Sequence, residues 1–290
     1  MDAPVAGRDP FLAPGSFSGR TALITGGGTG LGLATATRMG MLGARVVCAS
    51  RTVAHHATLL QRGRDHGFEV LSLALDVRES HQVRDVVRTT VQHFGGLDIL
   101  VNNAAGNFLA PAFALPPKGF RTVIDIALCG VFTMSREAGL VMRDAGGGSI
   151  VNISAPYATT GKPGVVHSAC AKAGVEAMTR TLAAEWAPHR IRVNAVSPGP
   201  FASEGAAERL WPTPELEQAV RDQIPLGRFG TADEVADLVC LLAGPDAPWL
   251  TGTILVADGG WSLPLPLGPL GEGRVPRRRR PRLDATDAEP

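Results

Sequence analysis

The stretch Thr21–Gly32, TALITGGGTGLG, constrains the fold more than any other part of this sequence. Thr21-Ala22-Leu23-Ile24 is a short apolar run bounded by glycines and reads as a strand. A loop with glycine at 26, 27, 28, 30 and 32 follows, and then a helical pattern to about Leu42. Glycine permits positive φ and lets another molecule approach the backbone closely. The start of the helix points unpaired N–H groups at whatever lies above the loop. In this order the three pieces read as a cradle for a pyrophosphate, formed by Gly26, Thr29, Gly30, Leu31 and Gly32. Taken alone, such a loop also reads as a plain turn.

The rest of the chain repeats the alternation. Strands are expected at 45–51, 70–75, 97–101, 149–153, 191–196 and 253–256, with helical segments between them at 53–65, 79–94, 118–144 and 165–186. Thr231 opens a last helix with Asp233-Glu234 in its first turn, which complements the helix dipole. Residues 201–223, interrupted by Pro212 and Pro214, read as a broken helical flap. Such alternation predicts an α/β fold, a single doubly wound domain whose seven-stranded parallel sheet is covered on both faces. Ligands then bind at the carboxyl ends of the strands, where all the motifs below fall.

At the end of the second strand an acidic residue would take a ribose 2′-hydroxyl. Ser50-Arg51 stands there instead and suits a 2′-phosphate, so NADPH is expected over NADH; a solvent-facing arginine is the plainer reading. Asp76 follows the third strand, placed to accept from an adenine amino group, with Val77 beside it. In Asn102-Asn103-Ala104-Ala105-Gly106-Asn107-Phe108 the small residues let a flat ribose approach the backbone. Asn103, Ala104 and Gly106 are assigned to the cofactor, as are Pro198 and Gly199 after the sixth strand. The one tyrosine of the chain, Tyr157, follows the fifth strand. Ser168 and Lys172 lie four apart, on one face of the next helix.

Composition removes other classes. The net charge of +1 supplies no field to steer a polyanion, so no nucleic-acid partner is expected. Arg274–Arg282 is a compact basic run after the last periodic segment and reads as a solvated tail. The four cysteines are far apart and read as small buried residues in a reducing compartment. His55 and His56 are adjacent, a poor spacing for two ligands on a helix, and no metal site is expected. No apolar run is long enough for a membrane span, the first 19 residues show no secretory pattern, and the last residues carry no peroxisomal address. A cytoplasmic location is expected. The domain reading is an N-terminal extension over 1–16, a catalytic domain over 17–262 and a tail over 263–290.

Thr25-Gly26-x-x-x-Gly30-x-Gly32, Asn102-Asn103-Ala104-Ala105-Gly106, Ile191-Arg192-Val193-Asn194 and Pro198-Gly199 together resemble the short-chain dehydrogenase/reductase family, over roughly residues 17–262. The resemblance implies a Rossmann-type domain, usually in a homotetramer. Most of that family reduce carbonyls with a serine and a Tyr-x-x-x-Lys pair. Here Ser168 stands four before Lys172, Ala155 falls where the serine is usual, and Ala127 replaces the usual helix asparagine. These departures resemble the NADPH-dependent 2,4-dienoyl-CoA reductases, whose tyrosine lies fifteen residues before the lysine, as Tyr157 lies before Lys172. Mitochondrial members of that branch carry an asparagine at the place of Cys129, and peroxisomal members an aspartate at the place of Ala127.

The resemblance implies reduction of an unsaturated acyl-CoA by NADP(H). Tyr157 would stabilise an enolate, Lys172 would bind the nicotinamide ribose, and Ser168 would hold the thioester or a water. Asn107, Phe108, Cys129, Ser168 and Pro200 would contact the substrate, with a water near Cys129 as proton source. A reductase of a 2-enoyl thioester or a ketone, and a cofactor-binding protein without turnover, are the alternatives.

Overall fold

A computed structural model describes residues 12–202 and 213–263. Most of the N-terminal extension, the middle of the expected flap and the basic Pro/Arg-rich tail lie outside the described residues. Seven parallel strands form one sheet: β1 (Thr21–Thr25), β2 (Arg45–Ser50), β3 (Val70–Ala74), β4 (Ile99–Asn102), β5 (Gly148–Ile153), β6 (Ile191–Pro198) and β9 (Ile254–Ala257). Their order is β3-β2-β1-β4-β5-β6-β9. Two-residue strands β7 (Phe201–Ala202) and β8 (Gly230–Thr231) pair with each other above it.

The alternation along each strand explains why the sheet is covered twice. Ala22, Ile24, Val46, Cys48, Ile99, Val101, Val151 and Ile153 bury into one core with helices α1 (Gly30–Met41) and α9 (Ala232–Ala243). Their neighbours Leu23, Val47, Ala49, Leu100 and Ile150 bury into a second core with α3 (Ser80–Phe94), α5 (Gly130–Asp144) and α7 (Val166–Trp186). Strands apolar on both sides have no face to give to water, which is the signature of a parallel sheet inside helices. On the first face a buried ion pair, Arg38 Nε to Asp237 Oδ1 at 2.9 Å, ties α1 to α9. Thr231 caps α9 reciprocally with Glu234, and together with Arg228 this holds the Glu234 carboxyl down near about 2.

Three elements depart from the sequence expectation. The segment 53–65 opens as a 3-10 turn, Val53–His56, before α2 (Ala57–His66). The long helix expected over 118–144 is α4 (Pro117–Ile124), a π-helical turn (Asp125–Cys129) and then α5. Gly130 follows the widened turn, and a Cβ there would meet Val77 Cγ2 at 2.7 Å. The expected flap over 201–223 opens as β7 and ends as a helix, α8 (Pro214–Asp222), and Tyr157, just after β5, heads a one-turn helix, α6 (Tyr157–Thr160). Two cysteines also depart: Cys48 and Cys240 are buried, whereas Cys129 and Cys170 are exposed.

The chain leaves β1 towards β2 and β3 on one side, and returns to its other side as β4. Loops from the two sides diverge there and open a crevice, the switch point where such sheets bind ligands.

Candidate active site

That crevice is a cleft of about 790 Å³ between the glycine loop, the ends of β2 and β4, and the start of α9. Gly26 and Gly30 have φ of +67° and +50°, the left-handed region that favours glycine. A Cβ on Gly32 would overlap the Gly26 carbonyl oxygen and the Asn103 amide. The loop therefore folds tightly enough to aim the start of α1 into the cleft. No side chain caps that start and no acid stands in its first turn, so its free N–H groups and positive dipole end face the open space. This fits a dinucleotide pyrophosphate.

The floor is pinned from β4. Asn103 Nδ2 donates to the carbonyls of Thr25 and Gly26 at 2.9 and 3.2 Å, and Thr25 Oγ1 accepts the N–H groups of Asn103 and Ala104 at 3.0 Å. Asn103 thus acts on the loop that would hold the cofactor. Ser50, Arg51, Asp76 and Val77 line one end of the cleft, with Ala104 and Asn107 at the other. Arg78 grips both oxygens of Asp76, and this hydrogen bonding holds the carboxyl below its ordinary range.

Beyond the cleft, side chains of β5, α6 and α7 converge. Tyr157 Oη lies 3.1 Å from Ser168 Oγ, and Asn107 Nδ2 donates to it at 3.4 Å. Asn107 Oδ1 accepts the Phe108 N–H at 2.9 Å, which orients the amide. When Ser168 also donates, the phenolic proton is left for a third oxygen. Burial raises the Tyr157 pKa, the Ser168 bond opposing it in part, so the phenol is a proton-bearing donor at neutral pH. Lys172 is 5 % exposed, and its Nζ donates to the Ile153 carbonyl at 2.6 Å. Burial lowers its pKa to about 8. One turn on, Glu176 accepts from Ser154 Oγ at 2.9 Å and holds the β5 exit against α7.

Hydrogen bonds link Tyr157 to Ser168 and Asn107, and Lys172 lies one turn beyond Ser168 on α7. Phe108 is 38 % exposed and stacks on His167 with ring centroids 4.5 Å apart. Gly199 fits where a Cβ would meet Asp258 Cβ at 2.5 Å, which holds Pro198, Gly199 and Pro200 against the turn after β9. Cys129 is exposed at the end of the π-helical turn, and among the described residues no side-chain hydrogen bond links it to the Tyr157 cluster. Ile126, one turn back, lines the cleft instead.

Sequence reasoning also missed the two buried histidines. Among the described residues neither ring nitrogen of His167 has a hydrogen-bond partner, and burial lowers its pKa. His56 bonds to serines on two strands. The adjacent histidines raised a question about metals, but nothing in the pattern marked one ring as interior. Among the described residues no group of histidine, cysteine or acidic side chains is arranged to hold a metal, and no helix is long and apolar enough to cross a membrane.

Glycine loop, switch-point cleft and a lysine on the helix after β5 define a nucleotide-dependent oxidoreductase, and comparison with known proteins agrees. The sequence pattern of the family described as enoyl-(acyl carrier protein) reductase matches residues 26–262. The chain belongs to the short-chain dehydrogenase/reductase family, whose members work with a nicotinamide cofactor. A Bacillus subtilis protein named a probable 2,4-dienoyl-CoA reductase, (2E)-enoyl-CoA-producing, is 40 % identical over 85 % of this chain and 98 % of its own. The Arabidopsis thaliana peroxisomal 2,4-dienoyl-CoA reductase, (3E)-enoyl-CoA-producing, is 40 % identical over 92 % of this chain and 90 % of its own. A crystal structure of a short-chain type dehydrogenase/reductase from Mycobacterium marinum superposes with a TM-score of 0.81 at 32 % identity, covering 86 % of this chain and 97 % of that one.

Proposed function

We propose that the protein reduces a conjugated acyl-CoA thioester with NADPH, in the manner of a 2,4-dienoyl-CoA reductase. The observation that carries the reading is the contact of Tyr157 Oη with Ser168 Oγ at 3.1 Å, Ser168 lying one turn before the buried Lys172 on α7. The names of the relatives support the substrate class.

NADPH held at the glycine loop and Lys172 would supply the hydride, which adds to the far carbon of the conjugated system. The electron pair displaced from the double bonds moves onto the thioester oxygen, and Tyr157 donates its phenolic proton in a hydrogen bond to that oxygen. A donor aimed at a developing oxyanion contributes roughly 3–4 kcal/mol where water is excluded. Ser168 and Asn107 hold the phenol from behind. Lys172 offers its remaining N–H groups to the nicotinamide ribose and adds positive potential beside the oxyanion. Phe108 covers the acyl chain, and Ser50 and Arg51 take the 2′-phosphate. A solvent proton then completes the product, so one hydride and one proton are added overall. Assembly as a homotetramer and cytoplasmic residence belong to the same reading.

A 2-enoyl thioester is the second reading, favoured by the description of the matching family. NADPH consumption with a 2,4-dienoyl-CoA, measured beside a Tyr157→Phe variant, tests the proposal. Turnover that the variant abolishes supports it. Turnover unaffected by the variant removes the role of Tyr157. Binding of NADPH without turnover on either thioester class points to a protein that holds the cofactor without catalysis.

A further inference from the structure

A buried hydrogen-bonded chain lies behind Ser50, at the Arg51 end of the cleft. Ser50 Oγ stands 2.7 Å from His56 Nε2, and His56 Nδ1 stands 2.7 Å from Ser72 Oγ on β3. The His56 ring is fully buried under the glycine loop, where a Cβ on Gly28 would come within 2.9 Å of its Cδ2. Ser50 and Gly28 line the cleft, and His56 does not.

A neutral imidazole carries one N–H, so it donates one of these two bonds and accepts the other. Burial, with His55 adding to it, holds the His56 pKa below its ordinary value and the ring neutral. With the proton on Nδ1, Ser72 receives it and the Ser50 hydroxyl donates to Nε2. Ser50 then shows the cleft lone pairs alone. With the proton on Nε2, Ser72 donates to Nδ1, and Ser50 accepts from the ring with its own proton free. The competing acceptor, the Thr52 carbonyl, is 3.4 Å away and long for such a bond. A phosphate dianion offers acceptors only, whereas a ribose 2′-hydroxyl can donate to the Ser50 lone pairs.

We propose that His56 is a positioning residue for cofactor choice. By donating Nε2–H to Ser50 Oγ, it turns the Ser50 proton towards the oxygens of a 2′-phosphorylated dinucleotide. The inference rests on the NADPH reading above and adds a residue that touches no cofactor atom. Arg51 supplies charge at this end of the cleft, and His56 sets the direction of a donor.

The test is the dissociation constants of NADPH and NADH for the full chain and its His56→Phe, His56→Asn, His56→Gln and Ser50→Ala variants. Loss of one hydrogen bond to a charged group corresponds to roughly a ten- to hundredfold weakening. That loss is expected for NADPH, and not for NADH, in the Phe and Asn variants. Glutamine, whose amide N–H reaches the Nε2 position, is expected to restore most of it. Ser50→Ala combined with His56→Phe is expected to be no weaker than Ser50→Ala alone, because the two act through one bond. If the Phe variant does not fold, the Asn variant carries the comparison, since its amide reaches Ser72 and not Ser50. Equal weakening of both cofactors would reduce His56 to a prop under Gly28 and overturn the inference. A parent preference for NADPH that persists undiminished in every His56 variant would also overturn it. A parent with no preference would remove the NADPH reading itself, and the inference with it.

Discussion

At the glycine loop geometry is set by close backbone packing pinned by Asn103 and Thr25, whereas around Tyr157 it is set by a few side-chain bonds of 2.6 to 3.4 Å. Gly32 admits no Cβ because a carbonyl oxygen occupies the space. Tyr157 is positioned by contacts that other side chains could replace. The first arrangement is over-determined and its sequence is nearly forced. The second is economical and can be rearranged without disturbing the frame. That difference explains how a tyrosine fifteen residues before Lys172 can occupy a fold whose usual tyrosine position holds Ser168.

The comparison can be broken at either end. Gly32→Ala should cost about 3 kcal/mol in unfolding free energy and abolish cofactor binding, since the neighbouring backbone must move; denaturant unfolding and cofactor titration read both. Tyr157→Phe should lower turnover by about a hundredfold while leaving NADPH affinity unchanged. If affinity falls as well, the two regions are not separable.

Lys172 sharpens the contrast through pH. An unfolded lysine titrates near 10.4, and the buried one is lowered to about 8. Between those values the native state binds fewer protons than the unfolded chain, so stability rises with pH. The penalty is fully present below about 8 and is relieved as pH approaches about 10. Relative to Lys172→Met, the parent should therefore gain up to about 3 kcal/mol in denaturant unfolding between those limits. A constant difference would mean that the ammonium is solvated.

Asp98 lies at the opposite end of the sheet, accepting from the Thr21 N–H and from Arg20 at 2.8 Å. Asp98→Asn should destabilise by about 1 kcal/mol with turnover unchanged, because the cleft is far from it. The smallest effect is expected for Cys129→Asn, which returns an amide to an exposed position: stability within about 0.5 kcal/mol and unchanged turnover. Faster turnover in that variant would bring residue 129 back to the substrate.

The forced parts were the legible ones. β1, its glycine loop and α1 follow from residues that few other conformations accept, and the other strands were read from their short apolar runs. The π-helical turn was not legible because Asp125–Cys129 contains no glycine or proline. Packing at that turn involves residues distant in sequence: Ala127 buries with Ala171, and Gly130 lies against Val77. The exposure of Cys129 follows from the turn and was hidden with it. Tyr157, Ser168 and Lys172 were singled out by resemblance to a family branch with the same spacing, whereas the burial of His56 and His167 is set by packing between elements distant in sequence.

One feature of the sheet reaches beyond the cleft. β1 is the first strand made and one of the innermost, with β2 on one edge and β4 on the other. The hydrogen bond from Thr21 to Asp98 spans 77 residues. A growing chain can close β1, β2 and β3 early, but the second edge of β1 stays bare until Ile99–Asn102 emerges. A bare apolar edge is a template for pairing with other chains. Nascent fragments ending before Ile99 should therefore aggregate more readily than fragments ending after Asn102, as centrifugation of stalled chains would show. The strand that carries the glycine loop is thus also an unpaired apolar edge during much of the chain's synthesis.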